Sequence, residues 1–208
     1  MLRHLGQMVL CSSLAWSASA GEPEPPRLAL TVLVANRAGV PSARIAEMQS
    51  EAGWVLGNAG ISITWVDCPF STEPVEPKSP CAGRLGGTRF LVRLTRDRMP
   101  HHGSSVSDMA LGFSRVTPDG GSYANVQMDL VEEVAWQRQR VSAGQVLGHA
   151  VAHEIGHMLM GSNSHSPRGL MRAAWKDNEL LDMAARHLLF SRQEVERMRA
   201  RVAAMSRR

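Results

Sequence analysis

After its first twenty residues the sequence has no long hydrophobic run, and cysteine is scarce throughout, with three in 208 residues. A helix that spans a bilayer needs about 20 consecutive apolar residues, so this part of the chain predicts no membrane span. The sequence also shows no internal repeat and no sign of a second domain. Because single domains commonly have about 50–250 residues, we expect residues 27–208 to fold as one domain.

Charge of one sign is not strongly in excess either, since the formal net charge is +4. Much of the surplus comes from arginines near the C-terminus, namely Arg192, Arg197, Arg199, Arg201, Arg207 and Arg208. Such a cluster can bind nucleic acid or an anionic surface, and the association would then depend on salt. No nucleic-acid-binding motif accompanies it, so we expect a solvated helix face and no nucleic-acid partner.

The N-terminus has the layout of an export signal. A charge at Arg3 precedes an apolar stretch from Leu5 to Trp16, and Ala18-Ser19-Ala20 supplies a small-residue cleavage site. We therefore expect a signal peptide over residues 1–20, a linker over residues 21–26, and a secreted or periplasmic protein that is free of the membrane after cleavage. An uncleaved N-terminal anchor is the alternative.

Only Cys68 and Cys81 remain after removal of residues 1–20. In an oxidising compartment we expect them to form a disulfide. The bridge would close the proline-rich stretch from Pro69 to Pro80, and it would contribute about 3 kcal/mol by restricting the unfolded chain. Two free thiols, or a thiolate that reaches a metal, are the alternatives.

Hydrophobic periodicity predicts a strand, a helix, several strands and then further helices, which indicates an α/β (α+β) domain with a mixed twisted sheet. Strands are expected over Arg27–Asn36, Ile61–Val66, Arg89–Thr95, Ala110–Val116 and Tyr123–Leu130. Helices are expected over Ser42–Gly57, over Ala143–Met160 with Gly161 as its end, and from Ser191, where Ser191 and Glu194 form a capping box.

The helix predicted over Ala143–Met160 contains the sequence His153-Glu154-Ile155-Gly156-His157, which is the H-E-x-x-H pattern. Histidines four residues apart lie on one helix face, so both imidazoles can bind the same zinc ion. Glu154 projects about 100° around the helix from His153, close enough to take a proton from a zinc-activated water. We therefore expect His153 and His157 as ligands and Glu154 as the general base. A buried helix whose histidines only form hydrogen bonds is the alternative.

A catalytic zinc site usually has three protein ligands and one open position. We expect His165 as the third ligand, because Gly161 lets the chain leave the helix sharply and the small polar residues that follow can return an imidazole to the first two. His101, His102 or an acidic residue are the alternatives. His149, one turn before the motif, is not expected to be a ligand, because a fourth one would close the open position.

From His153 to Met171 the chain resembles the metzincin clan of zinc peptidases, and its matrixin-type members in particular. Their pattern, H-E-x-x-H-x-x-G-x-x-H, is followed by a methionine turn, and Gly169-Leu170-Met171 resembles that turn. Fourteen residues separate His157 from Met171, as in that pattern. The loop between them departs from it: the glycine is four residues past His157 rather than three, and the histidine eight rather than six, so that Asn163 occupies the family's histidine position.

The resemblance implies a metzincin-like catalytic domain, with Met171 beneath the metal and the segment from Ala110 to Ser114 as an edge strand that binds an extended peptide. It implies a zinc endopeptidase that acts on a peptide or protein substrate, and we expect a monomer. Zinc is favoured over other divalent ions by the type of ligand. The alternative is a non-catalytic zinc-binding module for protein or surface recognition, against which the intact Glu154 argues.

Overall fold

The computed structural model describes residues 28–69, 76–97, 110–117 and 120–207. Within these ranges the chain forms five strands and five helices. In chain order they are β1 (Leu28–Asn36), α1 (Ser42–Asn58), β2 (Ile61–Cys68), β3 (Arg89–Thr95), β4 (Gly112–Thr117), β5 (Gly120–Gln127), α2 (Met128–Arg138), α3 (Ala143–Met160), α4 (Asp177–Ala184) and α5 (Arg192–Met205).

The strands form one mixed sheet in the order β2-β1-β3-β5-β4. All neighbouring pairs are parallel except β4 and β5, which are antiparallel and place β4 at one edge. Parallel neighbours need a crossover connection, which α1 supplies between β1 and β2. Alternate residues of the central strands, such as Val32, Val92 and Val126, are fully buried. The α/β class with a mixed sheet, expected from the sequence, is therefore confirmed.

Helix α3 lies in the centre of the domain, because all but two of its 18 residues are buried. Its start is fixed by a capping box, in which the Ser142 hydroxyl accepts the N–H of Gln145 (3.0 Å) and the Gln145 side chain accepts the N–H of Ser142 (3.0 Å). It ends at Gly161, whose φ of 65° favours glycine. The predicted bounds of this helix agree with the structure, and burial all round its axis leaves its side chains little freedom.

Two helices lie outside the sequence-based prediction. The strand predicted over Tyr123–Leu130 is wrong at its C-terminal end, since β5 ends at Gln127 and α2 begins at Met128. Met128 and Leu130 continue the apolar–polar alternation of Ala124 and Val126, so the sequence hides the change from strand to helix at Met128. Helix α4 starts at a capping interaction of Glu179, which accepts the backbone N–H three residues earlier (2.9 Å).

Cys68 and Cys81 form a disulfide, with their Cα atoms 5.7 Å apart. The segment around Cys81 is held to β3 by the guanidinium of Arg89. This group donates hydrogen bonds to the carbonyls of Pro80 and Ala82, the latter at 2.8 Å. The bridge therefore joins the end of β2 to a segment that is itself tied to the sheet.

Several sequence predictions fall on residues outside the described ranges. They are the signal peptide over 1–20, the linker over 21–26, the domain's first residue at Arg27, and His101 and His102 as alternative ligands. Export and the domain bounds therefore stay predictions. In the described ranges, none of the helices combines the length and the hydropathy needed to cross a bilayer.

Candidate metal centre

Two histidines of α3 face each other across one helical turn. The Nε2 atoms of His153 and His157 lie 3.0 Å apart. Both residues are buried, with 8% and 4% of their surface exposed. Spacing by four residues on a rigid central helix therefore brings two imidazole nitrogens into the same small space, as the motif predicts.

The other nitrogen of each ring is fixed by a backbone carbonyl. His153 Nδ1 lies 2.8 Å from the Leu170 oxygen, and His157 Nδ1 lies 2.8 Å from the Ser162 oxygen. A carbonyl oxygen can only accept a hydrogen bond, so each Nδ1 carries a proton and donates it. In a neutral ring, Nε2 is then left with a bare lone pair.

The loop that follows α3 brings a third imidazole to this pair. The ring centroid of His165 lies 4.9 Å from that of His157 and 5.4 Å from that of His153. One ligand nitrogen from each of the three histidines lies within 4.8 Å of the other two. His165 is exposed, unlike the two helix histidines. Three converging imidazoles could hold a metal ion, and catalytic zinc sites commonly use a donor set of this type.

The electrostatics of the three rings fit a cation. Burial lowers the pKa of His153 to about 3, with a further contribution from the nearby His157. Burial also lowers the pKa of His157 and that of His165. Each neutral ring has one proton, and in both rings it is on Nδ1, so no proton is left to form a hydrogen bond between the two Nε2 atoms. Their bare lone pairs, 3.0 Å apart, therefore repel each other. A metal ion that accepts these lone pairs removes the repulsion, and neutral imidazole is a ligand that zinc prefers.

Met171 lies against the turn of α3 that carries the two histidines. A Cβ atom at Gly156 would be 2.8 Å from Met171 Sδ, so the glycine inside the motif leaves the room that Met171 fills. The Met171 carbonyl accepts the N–H of Ser166 (2.8 Å). The preceding carbonyl, that of Leu170, accepts from Trp175 Nε1 (3.0 Å) as well as from His153. The loop after α3 is therefore tied back to the helix around its histidines.

Glu154 lines the same cavity as the three histidines and is only 4% exposed. Burial raises its pKa to about 7, while a hydrogen bond from the Ser114 hydroxyl acts in the opposite direction. That hydroxyl lies 2.5 Å from Glu154 Oε2. A carboxyl group of this kind beside a metal site can accept a proton and return it near neutral pH.

A cavity of about 400 Å³ opens beside these residues. Its walls come from β4, α2, α3 and the segment after Met171, and their apolar side chains include Leu111, Val134, Ala150, Trp175 and Leu180. Two arginines also line it, and each is paired with a carboxylate. Arg138 Nη1 lies 2.5 Å from Asp177 Oδ1, and Arg172 Nη1 lies 2.6 Å from Glu179 Oε1. With these charges paired, the remaining walls favour an apolar group.

His149 is separate from the three converging histidines. Its Nδ1 donates to the carbonyl of Gln145 (2.9 Å), and its ring stands edge-on to that of Trp175. It does not belong to the group of side chains that could hold a metal. This position agrees with the expectation that His149 is not a ligand.

The residues that support the site are the ones that the sequence does not reveal. Ser162 and Leu170 act through their backbone carbonyls, and no side-chain pattern in the sequence indicates such a contact. Ser114 contacts Glu154 from 40 residues away, and only the packing of β4 on α3 brings them together. Val134 forms part of the cavity wall because α2 follows β5 directly, where the sequence predicts a longer strand. Asn163, at the position where the matrixin pattern has its third histidine, lines the cavity.

Comparisons with known proteins show similarity of fold only. No protein-family model and no curated protein sequence matches the chain. Among solved structures, archaemetzincin from Methanopyrus kandleri is similar, with a TM-score of 0.48, 16% identity and coverage of 86% of this chain and 98% of that one. Metalloproteinase-II from Bacteroides fragilis is similar with a TM-score of 0.49 and 13% identity, over 86% of this chain and 55% of that one. At such low similarity, the roles of the site residues have to come from the geometry of this chain.

Proposed function

We propose that this chain is an exported zinc-dependent endopeptidase in which His153, His157 and His165 hold the metal. The observation that carries the proposal is the convergence of these three imidazoles at one point, beside the carboxylate of Glu154. In this proposal the chain is a metzincin of matrixin type with a shifted third ligand, and Met171 is the methionine of its methionine turn.

Glu154 acts as the general base in the proposed reaction. Zinc held by His153, His157 and His165 would supply a Lewis acid, a group that polarises carbonyls and lowers the pKa of water to about 7. The Glu154 carboxylate takes a proton from the attacking water and later passes one to the nitrogen of the leaving amine. Its buried position in the cavity wall keeps it directed at the reacting groups rather than at bulk solvent.

The substrate is an extended peptide that binds along β4. Within the described residues β4 pairs on one side only, with β5, so its other edge is available for backbone hydrogen bonds. The cavity of about 400 Å³ lies next to this edge and is large enough for a bulky apolar side chain. We therefore propose that the enzyme prefers a large apolar residue beside the cleaved bond.

The proposal is tested by incubating the purified protein with casein, with and without a zinc chelator, beside Glu154→Gln. We expect cleavage by the wild type, loss of cleavage with chelator, and recovery on addition of zinc. Glu154→Gln should retain zinc and lose turnover by a factor of about 100 or more, the size of a general-base contribution. Chelator-insensitive cleavage, or full activity of Glu154→Gln, would contradict the proposal.

The third ligand is tested separately by elemental analysis of His165→Ala. The matched control is His187→Ala, since His187 is an exposed histidine outside the converging group. We expect bound zinc to fall in His165→Ala and to stay near one per chain in His187→Ala. Equal zinc content in both variants would mean that a residue other than His165 is the third ligand.

A second candidate is a non-catalytic zinc-binding module. It predicts the same zinc content but no chelator-sensitive cleavage of casein or of peptides with a large apolar residue. The buried carboxylate of Glu154 speaks against it, since burial of an acid beside a metal site has a cost in stability that a purely structural site has no need to bear. Export and a monomeric state belong to the proposal and are checked by fractionation of the producing cell and by size-exclusion chromatography.

A further inference from the structure

We propose that Ser114 is a positioning residue for Glu154. Its hydroxyl anchors one oxygen of the Glu154 carboxylate, and the other oxygen accepts and donates the proton. The inference rests on the proposed function, in which Glu154 is the general base. It assigns a role to the edge strand β4 beyond the binding of substrate, because the strand also orients the base.

The Ser114 hydroxyl contacts a single residue of α3 in two places. Its oxygen lies 2.5 Å from Glu154 Oε2 and 2.8 Å from the backbone oxygen of the same residue. Ser114 is 7% exposed, so water does not compete freely for these contacts. A hydroxyl has one proton to donate and two lone pairs with which to accept. Because both partners are acceptors, the single hydroxyl proton is shared between Oε2 and the backbone oxygen, and this shared bond holds Oε2 against the strand and the helix backbone.

The other carboxylate oxygen, Oε1, faces a different neighbour on the same strand. A Cβ atom at Gly112 would lie 2.9 Å from Oε1 and 2.6 Å from the carbonyl oxygen of Asn125. Gly112 and Ser114 are two residues apart on β4, so they lie on the same face of the sheet. The glycine makes room for Oε1, whereas Oε2 is the oxygen that the Ser114 hydroxyl contacts. The two oxygens of one carboxylate thus have separate environments.

The consequence for the reaction is a division of work between the two oxygens. Oε1 accepts a proton from the attacking water as the O–H bond breaks, and it gives a proton to the amine nitrogen as the C–N bond breaks. Oε2 keeps its contact with Ser114 throughout, which prevents the carboxylate from rotating away. Without the Ser114 hydroxyl the carboxylate is still present but is no longer held in one orientation. Misorientation of the base reduces turnover more than it reduces substrate binding.

The test compares Ser114→Ala with Ser62→Ala, its matched control. Ser62 lies on β2 at the opposite edge of the sheet, and its hydroxyl donates to the Leu28 carbonyl (3.1 Å), remote from the cavity. With a quenched-fluorescent peptide we expect Ser114→Ala to lower kcat by about 10- to 100-fold with KM within about twofold. Zinc content should match that of Ser62→Ala, and any fall in Tm from the lost buried hydrogen bond should leave the variant fully folded at the assay temperature. A kcat equal to that of Ser62→Ala, or a loss explained by missing zinc or by unfolding at the assay temperature, would overturn the assignment.

A double-mutant comparison and a structural readout separate this proposal from the proposed function. If Ser114 acts through Glu154, adding Ser114→Ala to Glu154→Ala should change zinc affinity and residual rate by less than about twofold. In crystal structures of the zinc-loaded proteins, the Glu154 carboxylate of Ser114→Ala should be rotated relative to its orientation in the wild type. If the wild type cleaves no peptide, the proposed function fails. The comparison of the carboxylate orientation in the two structures still tests whether Ser114 positions Glu154. An unchanged carboxylate position in the variant would refute that role.

Discussion

Replacing Gly156 by alanine probes the contact between the motif helix and Met171. The added Cβ would lie 2.7 Å from Phe190 Cε1 and 2.8 Å from Met171 Sδ, closer than such contacts occur. Met171 is fully buried and Phe190 is 8% exposed, so neither side chain can move away freely. Overpacking of this kind costs about 1–3 kcal/mol.

A second glycine in a helix provides the matched control. A Cβ at Gly53 in α1 would meet only Trp65 Nε1, at an ordinary distance of 3.8 Å. Glycine to alanine inside a helix gains about 1 kcal/mol from helix propensity in both variants. The difference between Gly156→Ala and Gly53→Ala therefore isolates the packing cost of about 1–3 kcal/mol.

The assay is thermal unfolding followed by circular dichroism in the presence of a chelator, so that zinc binding does not contribute. In a domain of this size 1 kcal/mol corresponds to about 2–4 °C in Tm. We expect Gly53→Ala to unfold at or above the wild-type Tm, and Gly156→Ala to unfold about 2–12 °C below Gly53→Ala. Equal Tm values for the two variants would refute the reasoning that Met171 and Phe190 are pressed against the motif.

Three further perturbations follow from the structure. Serine at both positions of the Cys68–Cys81 bridge should lower the free energy of unfolding in urea by about 3 kcal/mol, and no loss would contradict the bridge. Burial alone would raise the pKa of Glu179, but a backbone N–H and the Arg172 guanidinium hold it below its usual value. Its contribution is therefore complete above the unfolded pKa of about 4.3 and is lost as the pH falls through the lower folded pKa, so Glu179→Gln should cost about 1–2 kcal/mol at pH 7 and progressively less as the pH falls below about 4.3. A cost that does not decline with falling pH would contradict this. Val134→Phe narrows the cavity and should raise KM about tenfold for peptides with a large apolar residue, while KM for peptides with alanine at that position should stay unchanged. An equal change of KM for both peptides would exclude the cavity as a side-chain pocket.

The parts of the fold that depend on local interactions could be predicted from the sequence. The bounds of α3 follow from Ser142 and Gln145 at its start and from Gly161 at its end, and all three act within a few residues. The approach of His153 to His157 follows from the helical repeat alone. His165 is brought to the pair as expected, because the loop that carries it begins at a helix end whose direction the glycine fixes. Its role as a ligand stays a prediction.

The parts that depend on packing between distant segments could not be predicted. Met128 continues the apolar pattern of β5, so only tertiary packing decides that the chain turns into α2 there. The contact of Ser114 with Glu154 requires the register of β4 on β5 as well as the height of α3 above the sheet. No periodicity in the sequence encodes either quantity, although both shape the cavity and orient the proposed base.

The hydrogen bonds of the proposed ligands also predict how the protein behaves without metal. The Nδ1 atoms of His153 and His157 already bind the Leu170 and Ser162 carbonyls, so the loop after α3 is tied to the helix through the rings themselves. The sheet and α3 share a buried hydrophobic core, which includes Phe90 of β3 and Leu147 of α3 and does not depend on a metal ion. We therefore expect the chelated protein to keep its far-UV circular dichroism and a cooperative transition, with Tm rising as zinc is added in excess of its dissociation constant. Domains built around a structural zinc ion unfold when it is removed. Loss of helical signal on chelation would thus favour the structural module over the peptidase.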